Sequence, residues 1–456
     1  MITATPEFHS TNVEDDFAKQ VTGVVSSNTG RGSYRAVIHL AFRGGCDSYS
    51  VLVPHPSCTK LSGEYKAVRG QLALPDDKIL RLDGNAADQP QCSSFGVHHN
   101  LPFIKQLYDD GDLAFLANTG VLTQPVTREN YRAKTRSQLF SHNKMSAAVS
   151  ELDPLKSLEG SGTLGRMANV LEAKGFRTRR TAIETGILNL SGNSQAAETI
   201  FTLSTRGVEL LNLTDIATSG ARGVMSQLNG KGPGATPSGA FGEVWAHLLD
   251  QSMNQTETIF LSQQSAKTTT EFGKGKLDRR VELISQLIQT REEREVDRDM
   301  FFLTLDGFDV HSNAIARTAN LLQDVNKAIT DLVSELKVLG VWDDVVIMQT
   351  SEFGRTLVPN SGGGLDHAWA GNYWMAGGNV KGKRILGEYP SLSLESDEII
   401  DKARGRLLPT TPFDSPFQAI AEWMGVEVGV PSEINEVLPN RGNFPSLFRA
   451  GQVFEN

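Results

Sequence analysis

The sequence predicts an α/β protein with a mostly parallel central sheet and helices on both of its faces. Two short, almost wholly apolar runs, Phe301-Phe302-Leu303-Thr304-Leu305 and Val345-Val346-Ile347-Met348, read as parallel strands buried on both sides. Between them, Ile315, Ala319, Leu322, Val325, Ile329, Leu332, Leu336 and Leu339 hold one helical stripe, which completes a right-handed βαβ unit. Each strand then runs into a polar cluster: Asp309-Val310-His311-Ser312 after the first and Ser351-Glu352-Phe353-Gly354-Arg355 after the second, with Asp366-His367 beyond. In open α/β sheets, ligands bind outside the carboxyl ends of the strands, so these clusters sit where chemistry is expected.

The 456 residues are 39% hydrophobic, enough for a large core built as one α/β body with insertions. The expected organisation is a polar tail over residues 1–34, one domain over 35–450, and a less diagnostic insertion near 151–298. The net charge is −9 and no Lys/Arg cluster stands out, which argues against a nucleic-acid partner. No apolar run is long enough to span a bilayer. The N-terminal stretch lacks a basic segment followed by an apolar one, so no leader is visible. Cys46, Cys58 and Cys92 are too few for a disulfide scaffold; a single Cys58–Cys92 bridge and three free thiols both fit. The oligomeric state is not specified by this pattern.

Taken in order, Val37-Ile38-His39-Leu40-Ala41-Phe42 is the first strand, and its mid-strand His39 reads as a core histidine rather than a ligand. Arg43-Gly44-Gly45-Cys46-Asp47-Ser48 follows as a sharp turn that presents Asp47 and Ser48 at the strand's carboxyl end, either as a site or as an ordinary cap. Residues 101–108 form a short helix and 113–117 a strand. The segment from Thr123 through Thr127 and Arg128 to Tyr131 is a loop entering a helix, a place for an anion or a nucleophile and equally for a plain N-cap. Ile187-Leu188-Asn189-Leu190 reads as a strand leading into Gly192-Asn193-Ser194-Gln195-Ala196, a near match to a nucleophile elbow that keeps Ser194 as a rival site. Residues 220–242 are a Gly/Ser-rich loop and 277–296 a charged amphipathic helix. Ser312 caps the long helix, Gly340 stops it, and a last helix falls within 412–425.

Asp47, Asp309, His311, Glu352, Asp366 and His367 have side chains that hold divalent metals, and metals at strand ends can clamp the oxygens of a displacement. Arg355 is placed either to hold a phosphate or sulfate oxygen or to pair with a nearby carboxylate.

These motifs resemble the domain-of-unknown-function family numbered 1501, within the alkaline phosphatase and sulfatase superfamily. The resemblance rests on Arg43 to Ser48, Asp309 to Ser312, Ser351 to Thr356, Asp366-His367 and Gly377-Gly378. It is supported by Phe140-Ser141-His142-Asn143, Gly387-Glu388-Tyr389-Pro390 and Leu438-Pro439-Asn440. It implies an alkaline phosphatase-like fold. It implies a metal centre of Asp47, Asp309, His311, Glu352, Asp366 and His367, with zinc as the first candidate and manganese, calcium or magnesium as others. A hydroxyl nucleophile is then expected at Thr123 or Thr127, with Arg355 or Arg43 neutralising the substrate oxyanion. Some family members carry an acid where this chain has Lys144, a change that disfavours a nearby metal. The resemblance also implies a secreted or periplasmic location. The resulting expectation is a metal-dependent hydrolase of phosphate or sulfate esters acting on a small-molecule or glycan ester. The alternatives are an exported, inactive binding or structural protein on the same fold, and a serine esterase using Ser194.

Overall fold

The computed structural model describes residues 33–82, 89–135, 138–156, 160–184, 187–192, 200–203 and 265–455. Its strands are β1 (Arg35–Arg43), β2 (Leu52–Pro54), β3 (Ile79–Arg81), β4 (Phe95–His98), β5 (Leu113–Gly120), β6 (Thr178–Ile183), β7 (Ile200–Leu203), β8 (Arg298–Asp306), β9 (Val345–Ser351), β10 (Gly371–Ala376) and β11 (Arg384–Leu386). The main sheet runs β11-β5-β10-β9-β1-β8-β6-β7, with Thr411–Pro412 added beside β5. β10 alone is antiparallel to its neighbours; the other pairings of this sheet are parallel. A small antiparallel sheet, β2-β4-β3, lies apart from it.

Both faces of the sheet are covered. Ile38, Leu40 and Phe42 join Phe301, Leu303, Val345 and Ile347 in one core. Val37, Met300, Phe302, Val346 and Met348 point the other way into a second. Period-2 alternation sends successive residues to opposite faces, and helices wait on each. The helices used below are α1 (Thr59–Arg69), α2 (Pro102–Asp110), α3 (Tyr131–Lys134), α4 (His142–Glu151), α5 (Thr163–Ala173), α6 (Ile187–Leu190), α7 (Lys276–Gln289), α8 (Ala314–Val338) and α9 (Asp414–Met424). Residues of α2, α7 and α8 fill the first core, and residues of α5 and α9 the second. This double burial is why β8 and β9 are uninterrupted apolar runs. His39 is fully buried in β1, edge-on to Phe302 and Phe417, and is the core histidine expected; desolvation lowers its pKa to about 4.

The β8–α8–β9 crossover passes over β1, so β1 lies between the two strands it connects. In the β1 ladders Phe42 is level with Leu305 on one side and Ser351 on the other. Three parallel strands therefore end together, and the segments that follow them share one edge. That edge is the crevice where strand order diverges from β1.

Four sequence readings change. The run at 187–190 is the helix α6, not a strand, since three apolar residues in four positions carry no period of their own. The strands of this region are β6 and β7, and the Thr178-Arg179-Arg180-Thr181 start of β6 hides it from a hydropathy reading. β6 pairs with β8 and continues the main sheet, so part of the 151–298 stretch belongs to the body itself. Helix α8 starts after Asn313, not Ser312, and Ile315 is 53% exposed, so its buried stripe opens with Ala314 and Thr318 instead. Residues 1–32, Ser194 and the 220–242 loop lie outside the described residues. No described helix is long and apolar enough to cross a membrane.

Cys58, at the start of α1, is bridged to Cys92, while Cys46 is free and buried. The two are 34 positions apart, and closing a loop of that size stabilises by about 3–4 kcal/mol in the chain-entropy picture. Replacing both by serine should lower the urea midpoint accordingly, and the denatured, unreduced parent should titrate one thiol per chain. Three titrating thiols and an unchanged midpoint would rule the bridge out.

Candidate metal centre

The centre is assembled by loops that could not meet without glycine. Gly44 has φ +116° and Gly45 φ +81°. A Cβ on Gly44 would lie 2.3 Å from the Asp309 nitrogen, and one on Gly45 would lie 2.3 Å from the Phe353 ring. This close approach lets one buried arginine bind several strand-end segments. Arg355 is 1% exposed; its Nε donates to the Gly45 carbonyl at 2.8 Å, Nη1 to Leu365 O at 2.9 Å, and Nη2 to both Gly44 O and Asp309 Oδ1.

Asp309 is the hub. Its Oδ1 lies 3.0 Å from His311 Nε2 and 3.3 Å from His367 Nε2, and its Oδ2 lies 3.6 Å from His142 Nε2. Partial burial opposes its charge, but the bond and field of Arg355, then His311 and His367, outweigh it and hold the carboxyl at about 2. His142, Asp309 and His367 offer ligand atoms that all lie within 4.8 Å of one another.

Each imidazole is anchored through its other nitrogen. His367 Nδ1 donates to the Phe140 carbonyl at 2.8 Å, which can only accept. His142 Nδ1 lies 2.9 Å from Glu352 Oε1, and His311 Nδ1 lies 3.5 Å from Asp366 Oδ1. With Nδ1 protonated in each ring, each Nε2 carries a lone pair turned to Asp309. His311 Nε2 and His367 Nε2 are 3.0 Å apart. Two lone pairs hold that separation only with a proton or a cation between them. Imidazoles oriented through Nδ1 by carboxylates and a carbonyl, with Nε2 converging on a carboxylate, fit a divalent transition metal.

Glu352 and Asp366 thus face the imidazoles from behind. Glu352 is buried, accepts from the Gly44 N–H at 2.7 Å and orients His142. Asp366 faces His311, takes the Asn360 amide at 3.3 Å and lies 3.5 Å from Arg404 Nε.

The geometry corrects several expected roles. Asp47 is turned away from the cluster: the 3-10 turn Ser48–Ser50 aims it at Arg69 of α1, in an ion pair where the side chains are 2% and 1% exposed. Arg355 commits four of its five N–H donors to three carbonyls and Asp309, so its guanidinium is engaged chiefly in joining the loops and in the carboxylate pairing that was the alternative role. Thr123 is buried and donates to Lys134 O at 2.8 Å, and exposed Thr127 opens the turn before α3, its N–H bonded to Asn130. Neither threonine is bonded to a member of the cluster among the described residues. Arg43 is half exposed, 3.8 Å from Asp306, and lines a cavity of about 290 Å³ with Glu352, Asn143 and Ser146. Lys144 is exposed on α4, two residues after His142 and so about 200° around the helix from it; it does not oppose a cation at His142.

His142 is the member the sequence reading missed. It is the first residue of α4, directly after the Ser141 N-cap. The signal was a histidine at a helix start, within a segment already singled out as a family motif.

Residues 34–400 match the family described as "Protein of unknown function (DUF1501)". A search of curated proteins finds no match. Among solved structures, the chain is similar to the lipoteichoic acid synthase LtaP from Listeria monocytogenes, at 7% identity over 93% of this chain and 81% of that one, with a TM-score of 0.34. It is similar to a protein in the alkaline phosphatase superfamily from Vibrio parahaemolyticus, at 11% identity over 82% and 67%, with a TM-score of 0.32. It is also similar to the phosphonate monoester hydrolase SpPMH from Silicibacter pomeroyi, at 10% identity over 87% and 74%, with a TM-score of 0.33.

Arg355→Lys should cost about 3 kcal/mol in denaturant-induced unfolding, because an ammonium cannot reproduce the planar fork and leaves buried carbonyls unpaired. A cost below about 0.5 kcal/mol would contradict the loop-binding role. Lys144→Ala should change the affinity for any divalent cation held at His142 by no more than about twofold, as its place on the helix implies.

Proposed function

We propose that this chain, which belongs to the DUF1501 family, is a metal-dependent hydrolase of phosphate or sulfate esters. The observation that carries the reading is the convergence of the His142, His311 and His367 Nε2 atoms on Asp309, at the carboxyl ends of three level parallel strands. His142, Asp309, His311 and His367 would hold the ion. Their imidazole-rich set suits zinc better than calcium or magnesium, which prefer oxygen ligands. When bound, the ion would polarise an ester oxygen and lower the pKa of a coordinated water.

The chain's own residues do the rest. Arg355 keeps Asp309 ionised and fixes its position. The Phe140 carbonyl, Glu352 and Asp366 fix the rings. Arg43 and Arg404, each about half exposed, are among the described cations that would neutralise the tetrahedral oxyanion of a phosphate or sulfate. None of the described residues bonded to or paired with Asp309 is a serine, threonine or cysteine, so the attacking group in this reading is water. The same observation favours the second reading, a binding protein that keeps the metal and lacks turnover. The Cys58–Cys92 bridge supports placing either one in an oxidising compartment such as the periplasm or the cell exterior.

Protein purified without chelator should contain about one equivalent of zinc by elemental analysis. His142→Ala, Asp309→Ala and His367→Ala should each lose it. An aryl phosphate or aryl sulfate should be turned over by the parent, and chelation or any of these variants should abolish turnover. Metal without turnover selects the binding protein; no metal in the parent, even after loading, sinks both readings. Metal is displaced as imidazoles protonate, and burial lowers the pKa of His367. Loss of metal on acidification should therefore lag behind the ordinary imidazole range near 6.5.

A further inference from the structure

A separate cavity of about 520 Å³ lies beside the metal centre, within the range of small-molecule sites. Tyr131, Arg132, Phe140, Ile400, Asp401 and Arg406 contribute to its walls. Two residues join it to the centre. Phe140 accepts from His367 through its carbonyl while its ring lines the cavity. Arg406 donates from Nε to the His367 carbonyl at 2.8 Å and lies over the Phe140 ring, 4.2 Å from its centroid.

The opposite cation, Arg132, lies over the Tyr131 ring at 5.6 Å and donates from Nε to its hydroxyl. Each guanidinium is thus braced against a ring with its charge still available. Arg406 Nη1 has a 3.4 Å contact with Asp401. Among the described residues, Nη2 of Arg406 and both Nη groups of Arg132 have no acceptor. Two arginines against one aspartate make the cavity cationic, in a chain whose net charge is −9. Planar donor forks positioned beside aromatic rings suit carboxylate, phosphate and sulfate groups.

We propose that this cavity is a subsite for a second anionic group of the substrate, so that the chain selects esters carrying an additional carboxylate, phosphate or sulfate over simple monoesters. The proposal rests on the hydrolase reading only for the group that enters the metal centre; the anion preference of the cavity is separable from it.

The test is calorimetric titration of the full chain with two pairs of probes. Benzoate and its neutral isostere benzamide report on the cavity alone in Asp309→Ala, where no zinc is left to ligate the carboxylate. There benzoate should bind at least about fivefold tighter than benzamide, and adding Arg132→Gln should erase the difference while Arg132→Lys retains part of it. Phenyl phosphate and 4-carboxyphenyl phosphate report on the connection. The carboxylate should tighten binding about tenfold in the parent and not in Arg132→Gln. Equal binding of benzoate and benzamide, binding of neither, or a preference that survives Arg132→Gln overturns the proposal. A benzoate preference that depends on Arg132, with no binding of either phosphate ester, supports the cavity and counts against the hydrolase reading instead.

Discussion

The buried guanidinium of Arg355 is the contact on which the centre depends. Three carbonyls, Gly44 O, Gly45 O and Leu365 O, and the carboxylate of Asp309 all point at it. They come from segments far apart in sequence, after β1, after β8 and before His367. Beyond the strand ends these segments share single backbone bonds, such as Phe308 N–H to Arg43 O and Leu365 N–H to Val310 O, and the three carbonyls named above are paired by Arg355. A buried charge is costly by itself, but here one planar donor set meets four acceptors, and a carboxylate supplies the opposite charge. Gly44 and Gly45 are the price of that geometry, because any side chain there would strike Asp309 or Phe353.

Once those loops are joined, the site separates into two layers. Asp309 and the imidazole Nε2 atoms face the shared space, while the Phe140 carbonyl, Glu352 and Asp366 sit behind the rings and take the Nδ1 side. The division follows from burial. Glu352 is 4% exposed in its side chain and already satisfied by the Gly44 N–H, whereas Asp309 is 46% exposed and open. A carboxylate used behind an imidazole tolerates burial because it accepts hydrogen bonds from several directions. One that reaches the open space must be kept charged by its neighbours, and Arg355 does so.

Much of this was legible in the sequence, for a physical reason. Strands buried on both faces have to be apolar throughout, so β8 and β9 stood out, and polar clusters directly after them mark loops at the carboxyl edge. Asp309 and His311 were singled out as candidates that way, and His367 as the histidine beyond the Gly-rich loop 361–364. What could not be read was side-chain direction. Asp47 follows β1 as Asp309 follows β8, yet a single 3-10 turn carries it to Arg69. Arg355 looked like an oxyanion ligand because its acceptors are backbone carbonyls, which leave no trace in a sequence. His142 was passed over because α4 carries it in from a segment with no strand before it. The same limit hid β6, whose buried arginine Arg180 is matched by Asn169 and Glu172 and not by any local pattern.

The His367 segment ties the centre to the neighbouring cavity. The ring of His367 is set by the carbonyl of Phe140, and its own carbonyl is held by Arg406, which lies on the Phe140 ring. Backbone and side chain of Phe140 therefore act on different sides of one wall. An anion drawing on Arg406 would pull on the same guanidinium that holds the His367 backbone. An anion in the proposed subsite would thus meet the His367 segment through Arg406. Such a short connection needs no separate mobile element. It needs only that Arg406 keep both contacts, which its position between the His367 carbonyl and the Phe140 ring allows.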